Sequence, residues 1–127
     1  MNKDEKCTII EKYVNGYNNF DIDEMLSVIH PEVEFVNISG GEINASASGI
    51  DEFRDMAEDS KKYFSSRKQT IIDFKEKDDQ VAIEVEYEGV LAVDLPNGKK
   101  AGETMRLNGL SEFTLLNGMI YRIVDIS

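Results

Sequence analysis

The chain has 127 residues, 41% of them hydrophobic and 31% charged, with a net charge of −11. That length supports one core, so residues 1–127 are read as a single domain. The charge runs 6 basic against 14 acidic side chains in residues 1–66 and 8 against 11 in residues 67–127. No basic stripe exists for a phosphate backbone or an anionic bilayer, so neither nucleic acid nor membrane is expected as a partner. The N-terminal MNKDEKCTII lacks an apolar signal core and no run reaches about 18 apolar residues, so a cytoplasmic protein is expected. With Cys7 the one cysteine and His30 the one histidine, no disulfide and no thiolate or tight transition-metal site can be assembled, and neither metal nor cofactor is expected.

In chain order, residues 4–19 place Cys7, Ile10, Val14 and Tyr17 at helical spacing, with Ile9 and Tyr13 widening the stripe and Cys7 read as a small buried hydrophobe. Asn18-Asn19 ends this helix, and Asp21 with Glu24 forms an acidic capping box for a second, whose Ile22, Met25, Leu26 and Ile29 face inward. Pro31 is expected to stop it, with His30 complementing the dipole at its C-terminus. Glu32–Ser39 reads as a strand with both faces partly covered, Gly40-Gly41 as a turn and Glu42–Ser48 as a weak strand. A third helix follows Gly49, burying Ile50, Phe53, Ala57 and Phe64, with Met56 and Tyr63 alongside.

After Ser66 the period changes to that of strands. Gln69–Lys77 carries Ile72 and Phe74 on one face, and Val81, Ile83, Val85 and Tyr87 alternate with Glu84, Glu86 and Glu88, which puts the three carboxylates toward solvent or a dimer rim. Asn97-Gly98 tips one hairpin, and Asn117-Gly118 joins Met105–Leu115 to Met119–Ile126 in another. The inward phase slips between Leu107 and Leu110, which suggests a bulge at Asn108-Gly109. Helices that precede a mostly antiparallel sheet make the class α+β: three N-terminal helices on a strongly curved sheet, with a cone-shaped cavity between the first helix, the third helix and the sheet.

This order and the segment YVNGYNNFDIDEMLSVIHPEVEF resemble the nuclear transport factor 2-like superfamily, in its SnoaL-like and ketosteroid-isomerase-like branch. The resemblance runs from about Ile9 to Ile126 and rests on the aromatic of the first helix, the Asp-started short helix, the proline-acidic turn, the glycine before the third helix and the Asn-Gly turn before the last strand. It implies a cone-shaped, cystatin-like fold, a homodimer formed through the sheet face and a small, largely apolar molecule held in the cone. Activity stays open, because the fold hosts isomerases, cyclases, dehydratases, hydrolases and non-enzymes.

Carried over by position, the resemblance puts Tyr13 on the tyrosine that donates to a developing enolate oxygen. It puts Asn37 where the isomerases keep an aspartate base, and an amide cannot take a proton from carbon, so steroid isomerisation by that base is not expected. The second oxygen donor, a protonated aspartic acid in the isomerases, falls on or near Gly109, and Asp125 lies where SnoaL-like cyclases keep an acidic residue. Catalytic candidates are therefore Tyr13, Asn37 and Asp125, and the expected ligand-binding residues are Tyr13, Tyr17, Phe35, Asn37, Met56, Met105 and Ile123. Two readings follow: a SnoaL-like protein that binds a small apolar molecule, with isomerase, cyclase or hydrolase-type chemistry open, or a non-catalytic homodimeric module whose cone is closed by Tyr17, Phe35 and Met56. An open cavity of at least a few hundred Å³ beside Tyr13 separates them.

Overall fold

A computed structural model describes residues 1–127. Helix α1 (Lys3–Asn18) begins where the Asn2 side chain accepts from the Glu5 amide, and α2 (Ile22–Leu26) where Asp21 accepts from the Glu24 amide. Then follow β1 (Ile29–Ser39), β2 (Glu42–Ser48), α3 (Ile50–Ser60), a 3₁₀ turn at Lys61–Tyr63, β3 (Phe64–Lys77), β4 (Gln80–Leu91), β5 (Thr104–Leu116) and β6 (Met119–Ile126). The six strands form one sheet in the order β2-β1-β6-β5-β4-β3. Every pair is antiparallel except β1 and β6, which run parallel. No helix is long and apolar enough to cross a membrane.

The core lies between the inner face of the sheet and the helices, with Ile10, Phe53, Ile83, Phe113, Ile120 and Ile123 fully buried. Along α1 the buried line runs through Lys6, Ile10, Tyr13 and Val14, and Cys7, expected inside, is half-exposed, its thiol donating to Glu11 Oε1. Lys6 takes the inward place because its stem covers apolar surface while its ammonium meets Glu76 of β3.

The largest departures from expectation fall at element ends. Helix α2 stops at Leu26, so Pro31 does not terminate it, and His30 lies in β1 rather than at a helix end. Its Nδ1 accepts from the Glu32 amide and its ring packs edge-on against Tyr121. Likewise α3 ends at Ser60, leaving Tyr63 on an exposed turn and Phe64 as the first residue of β3, which starts five residues before Gln69.

Strand phases differ too. A register shift between Ile71 and Asp73 leaves Ile72 exposed and turns Ile71 and Phe74 to the core, so Ile72 and Phe74 do not share a face. No bulge interrupts Asn108-Gly109: β4 and β5 pair without a break from Gln80–Thr114 to Val90–Thr104. The inward set of β5 is therefore Met105, Leu107, Gly109, Ser111, Phe113 and Leu115, with Ser111 rather than Leu110 inside. The Asn117-Gly118 hairpin holds as read, both residues having the positive φ that such two-residue turns demand.

Candidate functional site

Between α1, α3 and the sheet opens a cavity of about 500 Å³. Helix α1 contributes Tyr13 and Tyr17, one turn apart on the same face; α3 contributes Phe53, Met56, Ala57 and Ser60. The sheet adds Phe35 and Asn37 from β1, Val85 and Tyr87 from β4, Met105, Leu107, Gly109 and Ser111 from β5, and Asp125 from β6. One end of the aromatic wall is rigid, since Tyr13 packs edge-on against Phe113 at 5.7 Å and Phe35 edge-on against Phe53 at 5.8 Å.

The structure brings Tyr13, Tyr17, Phe35, Asn37, Met56, Met105 and Asp125 to this cavity. It does not bring Ile123, which lies fully buried beneath the wall, paired with Phe35 and Phe113 on its neighbouring strands. Glu84, Glu86 and Glu88 are exposed on the opposite face of β4.

Asp125 is the one acidic side chain of the cavity wall. It is next to Asn37 across the parallel β1–β6 pair and next to Ser111 across β5–β6, so the three side chains stand in a row on the inner face. Ser111 donates to Asp125 Oδ1 at 2.7 Å, and no cation pairs with the carboxylate. Burial lifts its pKa to about 6 against the pull of the Ser111 hydrogen bond. Position 37 lacks a carboxylate, and the neighbouring strand supplies one.

Asn37 itself neither caps the Gly40-Gly41 turn nor stands free: its amide donates to Asn44 Oδ1 at 2.6 Å. Asn44 reaches it because the β1–β2 register skips there, Asn37 pairing with Ala45 and Ile38 with Ile43. Tyr13 is buried, and its hydroxyl makes no hydrogen bond to the protein. Its pKa is raised, first by burial and then by the nearby charge of Asp125, so it is a proton donor at neutral pH. Gly109 lies on the cavity wall opposite Val85, and a Cβ there would stand 3.2 Å from the Ile126 carbonyl, so the place assigned by resemblance to a second acid holds no side chain.

Ser111, Asn44 and Tyr87 were not among the residues expected at the site. Unbroken alternation from Met105 to Leu115 would have placed Ser111 inside, and the Val81-to-Tyr87 alternation already placed Tyr87 there. Nothing in the sequence marks the register skip that presents Asn44.

Solved structures share the whole fold. A candidate polyketide cyclase from Xanthomonas campestris pv. campestris is similar over 100% of this chain and 93% of its own, with a TM-score of 0.86 and 20% identity. A candidate SnoaL-like polyketide cyclase from Jannaschia sp. CCS1 is similar over 95% and 83%, with a TM-score of 0.80 and 13% identity. TerC, crystallised with polyporic acid, is similar over 96% and 90%, with a TM-score of 0.78 and 22% identity. At these identities the likeness establishes the fold alone. No curated protein matches the chain in sequence. The sequence profile of the SnoaL-like domain matches residues 10–123, and on that match, with the cone-shaped α+β fold, the chain belongs to the SnoaL-like family of the nuclear transport factor 2-like superfamily.

Proposed function

We propose that the cone binds a small, largely apolar molecule bearing a carbonyl group, and that Asp125 takes a proton from the carbon beside that carbonyl while Tyr13 donates to the carbonyl oxygen. The observation that carries the reading is Asp125 itself: a carboxylate on an aromatic-walled cavity, held by one hydroxyl and matched to no cation. Buried charge without a partner costs stability, so its retention suits a group that accepts a proton from a ligand. A pKa of about 6 leaves the group mostly ionised at pH 7 yet far more basic than a free aspartate.

In this reaction the C–H bond breaks, its proton passes to the carboxylate, and its electron pair moves through the new C=C bond onto oxygen. The enolate oxygen then takes the Tyr13 hydrogen bond. Return of the proton to another carbon gives isomerisation, and attack of the enolate on a second carbonyl within the same ligand gives cyclisation. The cyclase descriptions of two of the similar structures and the ligand of the third agree with a carbonyl compound, and the open cavity favours this reading over a closed, non-catalytic module.

The test is α-proton exchange of 2-tetralone in D₂O, followed by NMR. The wild-type chain should accelerate it, Asp125→Asn should lower the rate by about 10²-fold or more, and Tyr13→Phe by about tenfold or more. Exchange no faster than in buffer, or unchanged in Asp125→Asn, refutes the proposal.

The same proposal has two chains associate through the outer face of the sheet. There Lys68 of β3, Glu86 and Glu88 of β4, and Arg106 and Asn108 of β5 line a groove of about 650 Å³, with Arg106 Nε 3.4 Å from Glu88 Oε2. Interspersed charge of both signs suits a face that must complement itself across a two-fold axis.

A further inference from the structure

Arg67, near the start of β3, is a buried charge without a counter-charge. It is 4% exposed in a chain of net charge −11, it makes no ion pair, and its Nη1 is buried without a hydrogen-bond partner. What holds it is the end of α1: Nε donates to the Tyr17 carbonyl at 2.9 Å, and the guanidinium lies 3.7 Å from the centre of the Tyr17 ring and 4.5 Å from that of Phe20. Two strands of the sheet, β4 and β5, separate β3 from β6, which carries Asp125.

Arg67 backs a pair of hydroxyls that the proposed reaction leaves unused. Tyr17 Oη donates to Tyr87 Oη at 3.0 Å, and both residues line the cavity. A hydroxyl pair has two protons and needs one for its own bond, so the second has no acceptor in the protein and is free for a ligand. A cation over the Tyr17 ring draws electron density from that phenol, which makes it a stronger donor to Tyr87, and a donor so bonded polarises the next in the chain. Burial raises the pKa of both phenols and keeps both protons in place.

We infer that the Tyr17–Tyr87 pair, with Arg67 as the positioning residue behind it, is a second ligand contact in the cone, selecting molecules that carry an anionic or strongly polarised oxygen in addition to the carbonyl. The substrate class is a planar, largely apolar oxo-acid, enol or phenol rather than a hydrocarbon-like ketone with a single oxygen. This inference rests on the cone being a ligand site. It deepens that reading by assigning the Tyr17–Tyr87 pair to recognition, leaving proton transfer to Asp125 and Tyr13.

Calorimetric titration with naphthalene, 2-naphthol and 2-naphthoate tests it, since the three probes share a ring system and differ in oxygen. Affinity should rise in that order, with naphthoate about tenfold or more tighter than naphthalene. Tyr17→Phe, Tyr87→Phe and Arg67→Met should each lower the preference for naphthoate over naphthalene by about tenfold. Should Arg67→Met fail to fold, the two Phe variants, which keep the rings, decide the matter. Equal affinities for the three probes, or a naphthoate preference abolished by Tyr13→Phe and untouched by both other Phe variants, overturns the inference while the cone remains a binding site. Failure of all three probes to bind overturns both.

Discussion

Ser111 Oγ donates a 2.7 Å hydrogen bond to Asp125 Oδ1 across the β5–β6 pair. The bond favours the ionised carboxylate while burial opposes it, and burial is the larger effect. Ser111→Ala should therefore push the Asp125 midpoint from about 6 to about 7 or above, a hydrogen bond to a charged group being worth about 1.5–3 kcal/mol. Carboxyl ¹³C chemical shifts of Asp125 followed through a pH titration measure this directly. A midpoint unchanged or lowered in Ser111→Ala contradicts the assigned role of the hydroxyl.

The same group makes stability depend on pH. Its folded pKa of about 6 lies above the 3.8 of a free aspartate, so the folded chain holds the proton more tightly than the unfolded chain does. Stability from this group is full below about pH 4, falls as pH rises toward 6, and stays reduced above it, by on the order of 2–3 kcal/mol. Asp125→Asn should thus be more stable than wild type at pH 7.5 and nearly equal to it at pH 4. Urea melts at the two pH values check this, and an advantage of the same size at both would show that Asp125 ionisation is not its source.

How far the site was legible follows the same residues. Helical and alternating periodicity places most walls of the cone, because the inward faces of α1, α3, β4 and β5 are set by spacing alone, and Tyr13, Tyr17, Met56 and Met105 arrive where that spacing puts them. Asp125 was readable as a position and not as an environment: its perturbation comes from burial and from Ser111, fourteen residues away in the chain. Ser111 was hidden by a leucine, since Leu110 looks like an inward residue and the strand does not bulge to make it one. The opposite failure occurs at Ile72 and Asn44, where a register skip that no spacing announces turns a residue out of or into place. His30 was misread because α2 ends earlier than its apolar pattern, Ile29 being buried from a strand.

Close packing of α1 on α2 yields a stability prediction outside the cavity. A Cβ on Gly16 would stand 2.9 Å from both the backbone nitrogen and Cγ of Met25 and 3.1 Å from the Asp21 carbonyl. Backbone cannot move aside as a side-chain tip can, so Gly16→Ala should cost about 1–2 kcal/mol after the helix preference of alanine is counted. Chemical denaturation measures it, and a stabilised variant would contradict the observed approach of the two helices.

For the sheet face, sedimentation equilibrium at micromolar concentration should give about twice the 14.4 kDa chain mass. Arg106→Glu, which sets a third acid beside Glu86 and Glu88 in the outer groove, should shift the chain toward monomer. A wild-type monomer removes the outer face from the proposal and leaves the cone intact.

The claim that the cone is a ligand site is met most directly by calorimetric titration of 2-tetralone into the wild-type chain and into Ala45→Trp, which fills the cavity from β2. One saturable site per chain is predicted for the wild type, and its loss in Ala45→Trp with the circular dichroism spectrum unchanged. Absence of binding to the wild type, or equal binding to the filled variant, would contradict it.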